Sequence, residues 1–238
     1  MTCCGSIFRD DTQIIYIRHA EVPGNDPKSP DYRYTGSRTD ESLTEKGVEQ
    51  AKACAVRIRY LCNQGWIGPI AAIYTSDAKR AMETGSVIAG ALHRGIRPRL
   101  GLREIDWGEA DGQLVAEMSK RHADDDEFVK AKVPDRKMLW DYLPVFKDAE
   151  KYNALLKRGR DELVALAKEH PGQTIIVVGH GRMCKTLIAA AAYKRNDSNI
   201  PYPENCGLAE FAVSPQGKFS FERVIQEKPR HQRIVSKL

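Results

Sequence analysis

Three short runs of apolar and largely β-branched residues stand out along the chain, at residues 13–17, 71–74 and 174–178. Their hydrophobicity is nearly continuous rather than alternating, which is typical of strands buried on both faces of a parallel sheet. Polar or glycine residues follow each run, and a helical pattern comes after them. Strands that alternate with helices in this way predict an α/β fold with a mostly parallel sheet.

Helices can be placed from apolar positions that recur every three or four residues. The first begins after Thr44, whose hydroxyl suits the N-cap position, and ends near Gly65. A second helix is predicted over residues 77–93. A third has an apolar face that starts at Tyr152, and it stops at residues 170–171, just before the third apolar run.

The C-terminal part has a different pattern, because apolar and polar residues alternate at residues 208–213 and 218–225. The intervening segment, 214–217, has the Ser-Pro-Gln-Gly composition of a turn. We therefore predict two strands that form an antiparallel hairpin at the edge of the sheet. The basic stretch from Lys228 onward is expected to be a solvated terminus without a function.

The composition argues against a membrane-spanning, secreted or nucleic-acid-binding protein. The 238 residues are 42% apolar and 29% charged, which suits one large domain. No run reaches the roughly 18 consecutive apolar residues of a membrane span, and the first residues lack a signal-peptide pattern. The net charge of +5 favours an anionic partner, but the basic residues are not clustered as in nucleic-acid binders. We therefore expect a small phosphorylated substrate and neither a nucleic-acid nor a membrane partner.

The six cysteines show neither paired zinc-ligand spacing nor the density of a disulfide scaffold. We interpret them as free and mostly buried thiols, with Cys3 and Cys4 in a disordered end. Free thiols are typical of a reducing compartment, so the sequence predicts a cytoplasmic protein.

Basic side chains follow the three apolar runs. Arg18 and His19 come directly after the first run, Arg80 follows the second, and His180 follows the third. In an open parallel sheet, ligands bind beyond the carboxyl ends of the strands, so these groups are expected to converge. Such cations repel one another unless an anion joins them. A phosphoryl group fits, because guanidinium groups match its oxygens and an imidazole nitrogen can attack phosphorus.

Five motifs occur in order along most of the chain. They are Y-I-R-H-A-E at residues 16–21, D-x-x-L-T-x-x-G-x-x-Q-A at 40–51, S-x-x-x-R-A-x-x-T at 76–84, L-x-E-x-x-x-G at 102–108 and V-x-H-G at 178–181. Together they resemble the histidine phosphatase superfamily, also called the phosphoglycerate mutase-like superfamily. The resemblance implies a three-layer α/β/α sandwich with a mostly parallel central sheet, an antiparallel edge and a helical cap insertion.

The resemblance also implies a role for each matching residue. His19 would attack the phosphorus and become a phosphohistidine, with one ring nitrogen unprotonated and the other held by a backbone acceptor that the sequence does not identify. Arg18, Arg80 and His180 would hold the phosphoryl oxygens, and Gly181 belongs to the same phosphate-binding set. These cations supply the charge that a metal ion supplies elsewhere, so we expect neither a metal nor a cofactor.

Two further residues are candidates for the site. Glu104 would give a proton to the leaving alcohol and take one from water, which requires a pKa raised towards neutrality; Asp106 is the next choice. Asn25 is a candidate phosphate or orienting contact. The chain departs from the usual pattern at Ala20, where the family has glycine, and at Val22, where it has Ser or Thr. A hydroxyl contact is therefore missing beside the nucleophile.

The choice within the family is between a phosphatase and a mutase. The glycolytic mutases carry an Arg-His-Tyr run just after the acid, whereas this chain has Ile105, Asp106 and Trp107 there. We therefore predict metal-independent hydrolysis of a phosphomonoester. Phosphoglycerate mutase is the alternative, and a non-catalytic relative that binds a phosphorylated ligand is another. The substrate could be a sugar phosphate, a nucleotide, a cofactor precursor or a phosphoprotein.

Two segments interrupt the core of this single predicted domain, residues 1–238. Residues 23–40 form a predicted loop beside the nucleophile, rich in proline and glycine. Residues 113–152 form a longer, mainly helical insertion with many large apolar side chains. This insertion could close over the site as a lid, pack down on the core, or form the contact of a homodimer, and packing is favoured.

Overall fold

The computed structural model describes residues 10–125, 146–192 and 203–225. Six strands lie within these residues: β1 (Thr12–Arg18), β2 (Ile70–Ser76), β3 (Ile96–Arg99), β4 (Thr174–Gly179), β5 (Leu208–Val213) and β6 (Phe219–Ile225). They form one sheet in the order β3-β2-β4-β1-β5-β6. Strands β1 to β4 are parallel, whereas β5 is antiparallel to both β1 and β6. The predicted parallel sheet with an antiparallel edge hairpin is confirmed.

Helices cover both faces of the sheet. In the described residues they are α1 (Glu45–Asn63), α2 (Lys79–Ala91), α3 (Val115–Arg121), α4 (Tyr152–Glu169) and α5 (Gly181–Ala192). Alternate residues of β1 face opposite sides: Ile15 packs with α1 and α2, whereas Ile14 packs with α4 and α5. The two resulting hydrophobic cores, one on each face of the sheet, confirm the three-layer α/β/α sandwich.

Helix α1 shows how closely local sequence determines an element. The Thr44 side chain accepts a hydrogen bond from the Gly47 N–H at 2.9 Å, so it is the N-cap that the sequence predicts. The helix ends at Asn63, and Gly65 beyond it adopts a φ of +68°, which favours glycine. Helix α2 is shorter than predicted, because the chain is extended at Ala78 and has left the helix by Leu92.

Strand β3 is the element that the hydrophobic pattern missed. It has the sequence Ile-Arg-Pro-Arg and pairs only with β2, at the edge of the sheet. An edge strand needs little apolar surface and tolerates a proline, since Pro98 has no N–H to donate to a neighbour. Its sequence therefore lacks the apolar run that marks the central strands.

Tyr34 of the first inserted segment and Met118 and Phe146 of the second pack on the α4–α5 side of the sheet. Residues 23–40 form no helix, and within them a single bridge joins Arg33 to Leu114. Helix α3 begins the second insertion, and its Met118 is fully buried in the same core as Phe146. Residues 126–145, Cys3, Cys4 and the basic tail lie outside the described residues. None of the helices that the structure describes combines the length and apolarity needed to cross a bilayer.

Candidate active site

The carboxyl ends of β1 and β4 bring His19 and His180 together. Arg18 and Gly179 are the last residue pair between these neighbouring strands, and the His19 N–H donates to the Gly179 carbonyl at 2.9 Å. The two imidazole rings then meet edge to face, with centroids 5.3 Å apart. Both rings are buried, so charges near them act through little water.

The His19 ring is held in one orientation by the next residue. Its Nδ1 lies 2.7 Å from the backbone carbonyl oxygen of Ala20. Because a carbonyl oxygen only accepts, Nδ1 carries the proton, and Nε2 of the neutral ring keeps its lone pair. Burial lowers the pKa of His19 well below 6.5, and the charges of Arg80 and Arg18 lower it further. The backbone acceptor that the sequence could not identify is Ala20.

His180 is buried with its polar atoms available. Neither ring nitrogen has a hydrogen-bond partner in the part of the chain that the structure describes, although the side chain is 0% exposed. Burial lowers the pKa of His180 well below 6.5, followed by the charge of Arg80 and the neighbouring His19. Buried polar atoms without partners are uncommon in proteins, so the two His180 nitrogens call for an explanation such as a catalytic role or a bound polar group.

Arg80 joins the site to the inserted loop 23–40. Its guanidinium is fully buried and donates to the carbonyl oxygens of Thr39 at 2.6 Å and Gly36 at 2.8 Å. Its Nε has no acceptor among the described residues and remains available to a ligand. Burial lowers the pKa of Arg80, while nearby carboxylates, Glu104 first, oppose that effect. Arg80 therefore keeps its charge and orders the loop that borders the site.

Residues 203–207 support Arg18, the last residue of β1, and His19, which follows it. The Arg18 Nη1 donates to the Pro203 carbonyl at 3.0 Å, and the Asn205 side-chain amide donates to the His19 carbonyl at 3.0 Å. The Cys206 N–H also donates to the Arg18 carbonyl at 3.0 Å. Sequence reasoning missed this segment, which lies about 185 residues away in the chain and carries no pattern of its own.

The carboxylate of Glu104 lies against the first turn of α5, the helix that begins immediately after His180. Its carboxylate accepts hydrogen bonds from the backbone N–H groups of Arg182 at 2.9 Å and Met183 at 3.0 Å, and from its own neighbour Ile105 at 3.0 Å. These three N–H donors and the partial positive charge of the helix N-terminus favour the ionised carboxylate, whereas the acid role expected from the sequence needs the protonated form. The loop that contains Glu104 is thus attached to the helix that follows His180.

Asp106, the second choice for the acid, is oriented differently. Its carboxylate pairs with Arg38 at 2.8 Å and accepts from the Gly108 N–H at 2.8 Å, at a partly exposed position. The nearby Asp111 holds the loop from the other side, since it accepts from the Gly36 N–H and the Thr39 hydroxyl. The Asp106 carboxylate is thus engaged by Arg38 and Gly108, the assignment of the acid to Glu104 stays a prediction, and Asp111 is a loop anchor that the sequence did not indicate.

Asn25 and Gly181 complete the predicted set. Both polar atoms of the Asn25 side chain are buried without a hydrogen-bond partner among residues 10–125, 146–192 and 203–225, so none joins them to His19. Gly181 is the buried first residue of α5. The described residues hold no group of three His, Cys, Asp or Glu side chains placed to bind a metal ion. The predicted absence of a metal stays a prediction.

The fold agrees with a comparison to known protein families. Residues 14–224 match the model of the histidine phosphatase superfamily (branch 1), and the chain belongs to that superfamily. The superfamily predicted from the five motifs is therefore confirmed.

The relatives of this chain include proteins named as phosphatases and as mutase-like proteins. The chain is 29% identical over 168 residues to phosphoserine phosphatase 1 of Hydrogenobacter thermophilus, covering 71% of this chain and 70% of that protein. It is 27% identical over 183 residues to phosphoglycerate mutase-like protein 4 of Arabidopsis thaliana, covering 76% and 72%. It spans about half the length of several mycobacterial relatives that are 30% identical.

A solved structure has the same fold. YhfR of Bacillus stearothermophilus superposes with a TM-score of 0.71 at 26% identity, covering 91% of this chain and 96% of that one.

Proposed function

We propose that this protein hydrolyses phosphomonoesters through a phosphohistidine formed on His19. The observation that carries the proposal is the 2.7 Å contact between the His19 Nδ1 and the Ala20 carbonyl. This contact leaves Nε2 as the nucleophile, and the lowered pKa of His19, caused first by burial, keeps the ring neutral at physiological pH. Small phosphorylated metabolites are the substrate class that the site and the named relatives favour.

The reaction divides into two transfers of the phosphoryl group. In the first, the His19 Nε2 forms a bond to phosphorus, the bond from phosphorus to the ester oxygen breaks, and Glu104 gives its proton to the leaving alkoxide. In the second, water attacks phosphorus, Glu104 takes a proton from it, and the phosphorus–nitrogen bond breaks. Inorganic phosphate and the alcohol are the products, and both His19 and Glu104 return to their starting states.

The phosphoryl oxygens are held by groups that are fixed before substrate binds. Arg18 and Arg80 supply two positive charges, and His180 and Asn25 supply polar atoms that have no partner among the described residues. Charges placed in advance around a transferring phosphoryl group stabilise its transition state without reorganisation. In this proposal no metal ion takes part, because the guanidinium groups supply the positive charge.

Hydrolysis is favoured over phosphoglycerate mutase activity. A mutase must retain the intermediate and bind the second acidic group of its substrate. Ile105 is fully buried, Trp107 is nearly so, and the Asp106 carboxylate pairs with Arg38, so none of the three offers a cation for that group. The non-catalytic alternative is disfavoured, because a nucleophile, an acid and the phosphate-binding cations all occur together.

We propose that residues 1–238 form a single domain. Within it, the inserted loop 23–40 selects the leaving group. Its contacts with Arg80 and Asp111 fix residues 36–39 beside the site. The segment at residues 113–152 has Met118 and Phe146 buried in the core, which supports packing rather than a mobile lid for those two residues.

The first test is turnover of p-nitrophenyl phosphate at mildly acidic pH with a chelator present. We expect hydrolysis by the wild-type protein and by His93→Asn, a change at an exposed histidine, but not by His19→Ala. Equal activity of His19→Ala and the wild type would exclude the proposed nucleophile. Binding of phosphate without any turnover would favour the non-catalytic alternative.

A second assay separates the two enzyme classes and looks for the substrate. Incubation with 3-phosphoglycerate and a bisphosphoglycerate primer should release phosphate or leave the compound unchanged. Interconversion of the phosphoglycerate isomers would instead identify a mutase. A panel of phosphorylated metabolites that includes phosphoserine, sugar phosphates and nucleotides, measured as released phosphate, then ranks candidate substrates by kcat/KM.

A further inference from the structure

The hydroxyl of Tyr16 contacts the backbone on both sides of the His180 α-carbon. The His180 N–H donates to the Tyr16 Oη at 2.9 Å, and the Oη lies 3.3 Å from the His180 carbonyl oxygen, to which it donates. Tyr16 is fully buried in β1, so the hydroxyl is shielded from water. A single phenol oxygen thus serves as acceptor and donor for one residue of the site.

The His180 backbone needs this contact because the sheet ends one residue earlier. The ladder between β1 and β4 stops at the pair of Arg18 and Gly179. The His180 N–H lies beyond it, and the Tyr16 hydroxyl supplies the acceptor that a strand would otherwise provide. Gly179 is required for the approach, since a Cβ at that position would overlap the Tyr16 hydroxyl.

We infer that Tyr16 is a positioning residue, which sets the place of the His180 imidazole by holding the His180 backbone. The inference rests on the proposed function, in which His180 binds the phosphoryl group. The His180 ring has no hydrogen bond to another described group, so its orientation depends on its own backbone and on the edge contact with His19. Without the hydroxyl, the backbone at residues 179–180 relaxes and the ring moves relative to the phosphoryl oxygens.

Tyr74 provides a matched control within the same sheet. Tyr16 and Tyr74 are both fully buried, and both lie opposite Val177, on either side of β4. The Tyr74 hydroxyl, however, contacts Glu169 at 2.8 Å and His170 at 2.9 Å, at the C-terminal end of α4. Arg97 also donates to the Tyr74 hydroxyl at 3.2 Å, and the hydrogen bonds of this hydroxyl are less buried than those of the Tyr16 hydroxyl. Tyr74→Phe therefore removes the same atom at a less buried hydroxyl, without touching His180.

The test compares Tyr16→Phe with Tyr74→Phe below the unfolding temperature of both variants. We expect both to unfold at a lower temperature than the wild type, because each loses buried hydrogen bonds. Tyr16→Phe should in addition lower kcat/KM for p-nitrophenyl phosphate about 10- to 100-fold and weaken competitive inhibition by orthovanadate, as a misplaced binding group does. Tyr74→Phe should leave both quantities unchanged.

Equal kcat/KM and equal orthovanadate inhibition in the two variants would overturn the inference, whether both are active or both are impaired. If the wild type shows no turnover, the proposed function fails. The positioning role is then tested by NMR, from the ¹⁵N signals of the His180 imidazole. Tyr16→Phe should then shift the His180 signals and Tyr74→Phe should not; unchanged signals in both would reject it.

If Tyr16→Phe does not fold, a ¹⁹F NMR measurement that keeps the Tyr16 hydroxyl tests the same inference. 3-Fluorotyrosine incorporated at position 16 keeps the hydroxyl, and its ¹⁹F signal should shift when orthovanadate binds. The same probe at position 74 should not respond. Equal responses at the two positions would overturn the inference.

Discussion

The carboxylate of Glu104 accepts a hydrogen bond from the backbone N–H of Met183 at 3.0 Å. Residues that lie 79 positions apart are thereby joined at the first turn of the helix that follows His180. Glu104, the proposed acid, and His180, the proposed phosphate-binding histidine, are therefore both held at the start of α5. Substitutions can separate their roles only if they preserve this helix start.

Glu104→Gln preserves the shape of the side chain and keeps one acceptor oxygen, although its amide nitrogen replaces an oxygen that accepts a backbone N–H bond. We expect kcat for an alkyl phosphate to fall about 10²- to 10⁴-fold, the usual contribution of a general acid. The loss should be smaller with p-nitrophenyl phosphate, because p-nitrophenolate leaves without a proton. Asp106→Asn is the control, since Asp106 pairs with Arg38 at the surface. A larger loss in Asp106→Asn than in Glu104→Gln would transfer the acid role to Asp106.

The stability of the protein should depend on the protonation of His180. Because its pKa is lowered in the folded state, first by burial and then by Arg80, the unfolded chain binds the additional proton as pH falls below 6.5. The free energy of unfolding should therefore decrease with falling pH in that range. His180→Gln should reduce this slope by about 1.4 kcal/mol per pH unit, measured by urea denaturation in phosphate-free buffer. An unchanged slope would mean that His180 is protonated in the folded protein.

Arg80→Lys keeps a positive charge but loses the planar fork that donates to Thr39 and Gly36. We expect kcat/KM to fall roughly 100-fold, as for loss of a fixed donor in a transition-state site. Trypsin should also cleave faster within residues 33–38, where the loop has lost its anchor. Arg103→Lys is the matched control, because Arg103 makes its two contacts with Asp77 near the surface. Equal effects of the two changes would contradict a special role of Arg80.

Asn205→Ala removes the amide that donates to the His19 carbonyl. The free energy of unfolding should fall by about 1 kcal/mol, the usual value of one hydrogen bond. If the amide also fixes the nucleophile, kcat/KM should fall about tenfold in the folded variant, since small displacements of a reacting group are costly. A normal kcat/KM with reduced stability would limit Asn205 to a purely structural role.

The central strands could be predicted from the sequence because they are buried on both faces. β1, β2 and β4 consist of nearly continuous apolar residues, and the groups that follow them must then converge at one edge of the sheet. β3 escaped prediction for the opposite reason, since an edge strand with the sequence Ile-Arg-Pro-Arg needs no apolar run.

The contacts that orient the site could not be predicted in the same way. The Ala20 carbonyl is a backbone atom and leaves no trace in side-chain chemistry. Asn205 meets His19 across 186 positions of the chain, and no local pattern encodes such a contact. Tyr16 was visible as an apolar residue of a strand and as the first residue of the Y-I-R-H-A-E motif, but nothing in its neighbours indicates where its hydroxyl points.

The most direct test of the account is to trap the phosphoryl group on the enzyme. Glu104→Gln is mixed with substrate, quenched with alkali, in which phosphohistidine survives, and digested for mass spectrometry. We expect a phosphoryl group on the peptide that contains His19, lost on acid treatment and missing when His19→Ala is added to the same variant. A phosphoryl group on any other residue, or turnover of substrate that leaves no phosphorylated enzyme on rapid quenching, would contradict it.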